Sequence, residues 1–319
     1  MNQTNDAQKA ERVAYINGEI VPESEAGVSI RDMGLVYGDS VFDTERTFGG
    51  RLFRLQDHID RLYKSLEYAK IDPGLSQNDM IEATQRLVAL NIPHLRDGED
   101  YWVTQRVTTG RQPLDGESPA LPGATIIIDC IPLPLRARAR SYQDGIYAVV
   151  ANRKRIAPQA LSANVKSNNY LNMMLAQREV QADHPGAWAL MCDANGNLAE
   201  GAGCNFFIVS NGEVVTPTDE FVLQGVSRQV VFEICDQADI AITRRAVTLE
   251  EALEADEAFF SSTSLCVCPV SRLNDHNYAA GHPGPVTDRI MKDFARMAGF
   301  DFVAQYLAFA SEAGASTGL

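Results

Sequence analysis

The sequence predicts an α+β fold in two domains, because its strand signals and its helix signals come in separate blocks. Two Asn-Gly turns, Asn17-Gly18 and Asn211-Gly212, sit between alternating apolar residues and mark β-hairpins. Helical stripes fall in pairs and runs, which a doubly wound sheet with strictly alternating strands and helices would not give. A stretch with two prolines and three arginines, IPLPLRARAR at 131–140, supplies the domain change.

Taken in order, residues 1–12 read as a flexible polar tail, 13–131 as a small N-terminal domain, 132–140 as a linker and 141–319 as a larger C-terminal domain. VAYINGEIVP opens the first domain as a hairpin. Strand 41–48 has Asp43 and Glu45 on one face and Phe42, Thr44 and Arg46 on the other, so one ionisable face is expected to line a cleft or interface. Helix 57–71 follows, with Ile59, Leu62, Tyr63 and Leu66 on its stripe and Arg61 off it. Ser76 and Asp79 form a capping-box start for a second helix that Pro93 ends. Strands are expected at 101–109 and 124–131. In the second domain strands are expected at 145–152, 187–193 and 257–263, the 205–215 hairpin between them, and helices at 170–180, 227–238, 249–255 and 285–309.

The 319 residues, 45% hydrophobic and 22% charged, suit a globular chain with sizeable cores. A net charge of -14 argues against nucleic acid and anionic membrane as partners, and no apolar run approaches the roughly 20 residues of a membrane helix. With a polar N-terminus, the expectation is a cytoplasmic protein. The six cysteines form no C-x-x-C pair and the five histidines lack ligand spacing, so buried thiols and no metal site are expected.

Lysine is scarce. Lys9, Lys64, Lys70, Lys154, Lys166 and Lys292 are all there are among 28 basic residues. Chemistry that needs an uncharged amine must use one of them, since arginine stays protonated. Lys166, in ANVKSNNYLN, stands among amides, hydroxyls and a phenol, with Arg153, Lys154 and Arg155 upstream to discourage its proton. Alone it reads as a surface lysine. LQGVSR at 223–228 has the form of an anion cradle at a helix N-terminus, or of an ordinary N-cap. Ser261-Ser262-Thr263-Ser264 offers more donors at a strand end, and Glu200 precedes the small-residue run Gly201-Ala202-Gly203, which does not continue into a dinucleotide fingerprint.

FRLQDHIDRL (53–62), VKSNNY (165–170), LAEGAGCNFF (198–207), LQGVSR (223–228) and SSTS (261–264) in this order resemble the fold-type IV pyridoxal-phosphate enzymes, the class IV aminotransferases. That group includes the branched-chain and D-amino acid aminotransferases, the (R)-amine transaminases and the aminodeoxychorismate lyases. The resemblance runs from about Tyr15 to Phe294 and implies a D-amino acid aminotransferase-like fold whose larger domain binds pyridoxal 5'-phosphate. It gives Lys166 the Schiff base and the proton shuttle. Glu200 would face the pyridine nitrogen, Tyr170 the phenolic oxygen, and Leu223 the ring. Arg61, Val226, Ser227 and Thr263 would hold the phosphate. For the substrate pocket the resemblance implies Tyr37, Phe42, Thr44, Arg46, Tyr101, Val103 and Ser264. Thr44 replaces a usual glycine and Val103 an arginine of bacterial branched-chain enzymes, and Thr109-Gly110 stands where the D-amino acid enzymes carry Arg-Gly. The C-terminal half is at least as similar to the (R)-amine transaminases. The implied activity is ping-pong transfer of an amino group from an apolar, branched-chain-like amino acid to a 2-oxo acid, in a homodimer. (R)-amine or D-amino acid transamination is the alternative, and lyase chemistry a more distant one.

Overall fold

The computed structural model describes residues 11–117, 123–278 and 282–312. Its chain divides into two compact units, Met1–Leu133 and Pro134–Leu319. The expected tail lies almost wholly outside the described residues.

The first unit is one six-stranded sheet with helices on one face. Asn17 and Gly18 both take positive φ to turn β1 (Val13–Ile16) into β2 (Glu19–Pro22). A five-residue helix α1 (Met33–Tyr37) starts under an Asp32 cap and stops at left-handed Gly38. Then come β3 (Ser40–Phe48), β4 (Arg51–Leu52), α2 (Leu55–Ala69), α3 (Gln77–Asn91), β5 (Tyr101–Thr108) and β6 (Thr125–Pro132). The strand order is β2-β1-β6-β5-β3-β4. The Ser76–Asp79 capping box opens α3 in both directions. Helix α2 packs on β3 through Leu55, Ile59, Leu62 and Leu66, while α3 packs on β1 and β6.

The alternation of β3 has the two faces expected of it, but the acidic face is the dry one. Asp43 and Glu45 are fully buried on the side that carries α2 and α3. Phe42 and Thr44 are only partly buried on the other. Asp43 has Arg61 and His58 as partners, while Glu45 is met on one oxygen only among the described residues, by Gln105.

The second unit is built on a nine-stranded mixed sheet. Its elements are α4 (Leu135–Asp144), β7 (Ile146–Val150), α5 (Leu171–Asp183), β8 (Trp188–Cys192), β9 (Leu198–Gly201), β10 (Asn205–Ser210), β11 (Glu213–Thr216) and α6 (Val226–Gln237). After these come β12 (Ile242–Arg244), α7 (Leu249–Glu254), β13 (Glu257–Ser262), β14 (Cys266–Leu273), β15 (His276–Asn277), α8 (Pro285–Ala298) and α9 (Phe302–Ala308). The strand path is β12-β11-β10-β13-β14-β7-β8-β9, with β15 on β14. One further pairing, Asn205 with Glu200, joins β10 to β9 and closes six of these strands into a ring. Phe206, Phe207, Phe259 and Phe260 fill the core, with Phe207 and Phe259 stacked at 4.6 Å.

Two expectations from sequence need correction. The 132–140 stretch contains the division between the units, yet most of it is helix: α4 buries Leu135, Arg138 and Ala139, which outweighs the turn signal of its prolines. The single long terminal helix is two, because Gly299 takes a left-handed conformation (φ 63°) that ends α8 before α9 begins.

Candidate active site

Lys166 lies in an irregular stretch just ahead of α5, whose first turn follows Tyr170. The four-residue spacing brings the two side chains together: Lys166 Nζ donates to the Tyr170 hydroxyl at 3.3 Å. They line a pocket of about 400 Å³, including space open to solvent, with Glu200, Leu223 and Arg155 on its walls. An amine and a phenol from one short segment thus share a cavity with a carboxylate from a different strand.

Glu200 is carried into that pocket by β9. It is 3% exposed. One oxygen, Oε2, accepts from the Leu223 amide at 3.0 Å and from Asn205 Nδ2 at 3.3 Å. The other, Oε1, is 2.9 Å from Arg155 Nη2 but has no hydrogen-bond partner of good geometry among the described residues. Burial pushes the carboxyl pKa up, while Arg155, the Leu223 amide and Lys166 oppose it; the net direction is upward. An oriented carboxylate with an unused acceptor suits a ligand N–H.

Asn205 ties this carboxylate to the segment before α6, since its Nδ2 also donates to the Leu223 carbonyl at 2.8 Å. Gly225 lets the two come this close: a Cβ there would stand 2.3 Å from Asn205 Oδ1. Helix α6 then begins at Gly225 without a side-chain cap among the described residues, leaving its first N–H groups, Val226 and Ser227 among them, available to an anion. Ser261, register partner of Asn205 across β13 and β10, is fully buried with a hydroxyl that has no partner among the described residues. Thr263 lies in the following β13–β14 turn. Ser264 is buried, its hydroxyl taken by Arg138 and its carbonyl by the Tyr306 hydroxyl.

The remaining sequence candidates belong to the first unit. Arg61 turns its guanidinium to Asp43, with Nε on Oδ2 and Nη2 on Oδ1, each at 2.7 Å. His58 Nδ1 adds a 2.7 Å contact to Oδ1. Burial alone would raise the Asp43 pKa, but the Arg61 charge and these hydrogen bonds hold it well below the usual carboxylate range. Tyr37, on α1, is exposed. Phe42, Thr44 and Arg46 share a face, with the Thr44 hydroxyl 3.1 Å from that of Thr104 and Arg46 over the Phe48 ring at 4.0 Å.

Tyr101 and Val103 do not join them. Their register partners put Trp102 opposite Arg46, Thr104 opposite Thr44 and Arg106 opposite Phe42. Tyr101 and Val103 therefore point to the helical side, fully buried, where the Tyr101 hydroxyl donates to the Asn91 carbonyl of α3. A displacement of one residue along a strand exchanges its faces. The β5 residues on the Thr44 face are Trp102, Thr104 and Arg106, and the expected substrate contacts at Tyr101 and Val103 are corrected accordingly. Asn205 stands inside the LAEGAGCNFF motif without a role of its own in the sequence reading, and Arg155 has only the signal of a basic residue upstream of Lys166.

A pocket lysine, a buried carboxylate and an uncapped helix N-terminus define an enzyme that handles amines with the help of an anionic cofactor. Comparison with known proteins gives the family. The chain matches Amino-transferase class IV over residues 40–273, and it belongs to that family. It is 35% identical over 282 residues to a putative branched-chain-amino-acid aminotransferase of Methanocaldococcus jannaschii, covering 88% of this chain and 94% of the relative. It is 31% identical to the D-alanine aminotransferase of Bacillus licheniformis, covering 86% and 93%. Among solved structures, the branched-chain aminotransferase of Escherichia coli superposes with a TM-score of 0.81 at 26% identity, covering 96% of this chain and 97% of that one. The protein is a pyridoxal-phosphate-dependent transaminase, and its fold is that of the class IV aminotransferases. The residues of the second unit fit the cofactor: Glu200 Oε1 and the Ser261 hydroxyl are polar atoms left over, and α6 presents uncapped amides. Among the described residues no group of three or more His, Cys, Asp or Glu could hold a metal ion, and no helix is long and apolar enough to cross a membrane.

Proposed function

We propose that the protein transfers an amino group from a branched-chain or similar apolar L-amino acid to a 2-oxo acid by a ping-pong route, with Lys166 as the catalytic residue. The observation that carries this reading is the convergence of Lys166, Tyr170 and Glu200 on one pocket. When bound, pyridoxal phosphate supplies an electron-withdrawing ring that stabilises negative charge at the substrate carbon. Lys166 would hold the cofactor covalently through Nζ and, as a free amine, would carry a proton to and from that carbon. Tyr170 offers its hydroxyl to the cofactor's phenolic oxygen and, in the free site, orients Nζ. Glu200, fixed by Leu223 and Asn205, accepts the ring N–H, and Leu223 packs on the ring. The α6 amides of Val226 and Ser227, the Ser227 hydroxyl and Thr263 would bind the phosphate.

The apolar L-donor is supported by the Methanocaldococcus jannaschii relative and the branched-chain enzymes among the structural neighbours. A D-amino acid donor is the second reading, supported by the D-alanine aminotransferase at 31% identity. The homodimer is supported by the apolar side chains that the first unit exposes around α1, namely Ile30, Leu35 and Tyr37 at 86%, 65% and 66%. The six free thiols suit a reducing cytoplasm.

The test is the absorbance spectrum before and after addition of L-leucine, without any oxo acid. Bleaching of the yellow band supports the proposal. A yellow band unmoved by L-leucine but bleached by D-alanine would replace the donor, and a protein that acquires no yellow band with added cofactor would overturn the reading of Lys166.

A further inference from the structure

We propose that Arg155 is a positioning residue for Glu200, keeping the proton shared between that carboxylate and the cofactor on the ring nitrogen. The inference rests on the cofactor assignment above and adds a residue to it.

Arg155 belongs to the segment between β7 and α5. Its amide donates to the Cys192 carbonyl at 2.8 Å, which fixes the residue against the end of β8. Its side chain is 9% exposed, lines the pocket that Lys166 and Tyr170 line, and brings Nη2 to 2.9 Å from Glu200 Oε1. The contact is one of charge and not of hydrogen bonding: Oε1 and Arg155 Nε both lack hydrogen-bond partners among the described residues. Leu223 and Asn205 hold the opposite oxygen. Arg155 therefore lends positive charge to the carboxylate while leaving Oε1 able to accept from a ligand.

A carboxyl group and a pyridine nitrogen that share one proton can exist as an acid beside a neutral ring or as a carboxylate beside a protonated ring. Burial favours the first, uncharged arrangement. A fixed cation nearest the carboxylate favours the second, because it attracts the carboxylate more than it repels the more distant ring nitrogen. Other charged groups that act on Glu200 are Lys166 and Arg228. Arg228 is matched by Asp219 at 2.7 Å, and Lys166 becomes covalently engaged when the cofactor is bound. The neighbouring Cys204 thiol is pushed up to about 12 by burial and stays neutral. Arg155 is thus the cation at ion-pair distance that persists with the cofactor in place.

The experiment uses the full chain loaded with pyridoxal phosphate labelled with 15N in the ring, comparing wild type, Arg155→Gln and Arg155→Lys. Two readouts are followed with pH: the 15N shift of the ring, and the infrared carbonyl band of a protonated Glu200, assigned by its loss in Glu200→Gln. At pH 7 the wild type and Arg155→Lys are expected to show a protonated ring and no such band. Arg155→Gln is expected to raise the Glu200 pKa, moving the ring toward the neutral shift as the acid band appears. A folded Arg155→Gln protein with both signals unchanged would overturn the proposal. If that variant does not fold, the wild type decides, because an acid band from Glu200 at pH 7 overturns the proposal and a protonated ring without it supports it. Failure of the cofactor assignment itself is distinct, since the wild type would then show no yellow band.

Discussion

Two side chains, half-buried Lys166 and fully buried Glu45, carry the sharpest expectations at the scale of single residues. In the proposed role of Lys166, Lys166→Ala removes the group that bonds the cofactor and moves the proton, so transamination should fall by about 10⁴-fold or more and the yellow band should be lost. Steady-state rates and absorbance check this together, and a variant with wild-type turnover would exclude Lys166 from the chemistry. Glu45 has a different interest. Burial pushes its carboxyl up to about 8, and among the described residues both its Oε2 and Gln105 Oε1 are buried acceptors without a donor. A protonated Glu45 leaves no bare charge in this buried setting. A folded-state pKa above the ordinary carboxylate value means that the unfolded chain loses the proton first. The contribution of Glu45 to stability is therefore most favourable below about pH 4.5 and declines as pH rises toward 8. Glu45→Gln should gain on the wild type by up to a few kcal/mol between pH 5 and pH 8, read from urea unfolding at both. An equal difference at the two pH values would show that Glu45 titrates normally in the fold. The resemblance made Lys166, Tyr170 and Glu200 legible because short motifs carry them. It could not show the environment of Glu45, which depends on a helix packing 39 residues away in sequence through Thr84.

Among the elements, local chemistry made the boundaries readable wherever a turn or cap decides them. The Asn-Gly hairpins and the Ser76–Asp79 box are of that kind. Ser76→Ala should lower stability by about 1 kcal/mol through loss of the Asp79 amide's partner, a shift measurable as a lower urea midpoint at unchanged slope. No change in midpoint would mean that the box is made by water as well as by Ser76. Elements decided by tertiary packing were less legible. Helix α4 follows two prolines and carries three arginines, so its local sequence reads as linker until the burial of Leu135, Arg138 and Ala139 is known. The same limit explains the β5 correction. Alternation in YWVTQRVT fixes which residues share a face, but both faces hold apolar and polar residues. Only the pairing of Thr44 with Thr104 tells which face is which.

On the scale of the whole molecule, the family match extends over both units, yet Lys166 and Glu200 both come from the second. The strand that carries Glu200 is distinctive there. β9 pairs with β8 on one side and touches β10 on the other through Glu200 and Asn205, whereas β12 ends the strand path and pairs only with β11. In deuterated solvent the two should behave differently. Amides of β12 are expected to exchange early, by fraying, while that of Gly201 should exchange only when the whole second unit opens. Gly201 donates to Cys204 across the turn between β9 and β10, so its amide is a direct reporter. Exchange of Gly201 as fast as that of Thr243 would mean that the ring opens locally between β9 and β10. Slow exchange would mean that the base on which Glu200 sits is as durable as the fold itself, and that its geometry does not wait on a ligand to form.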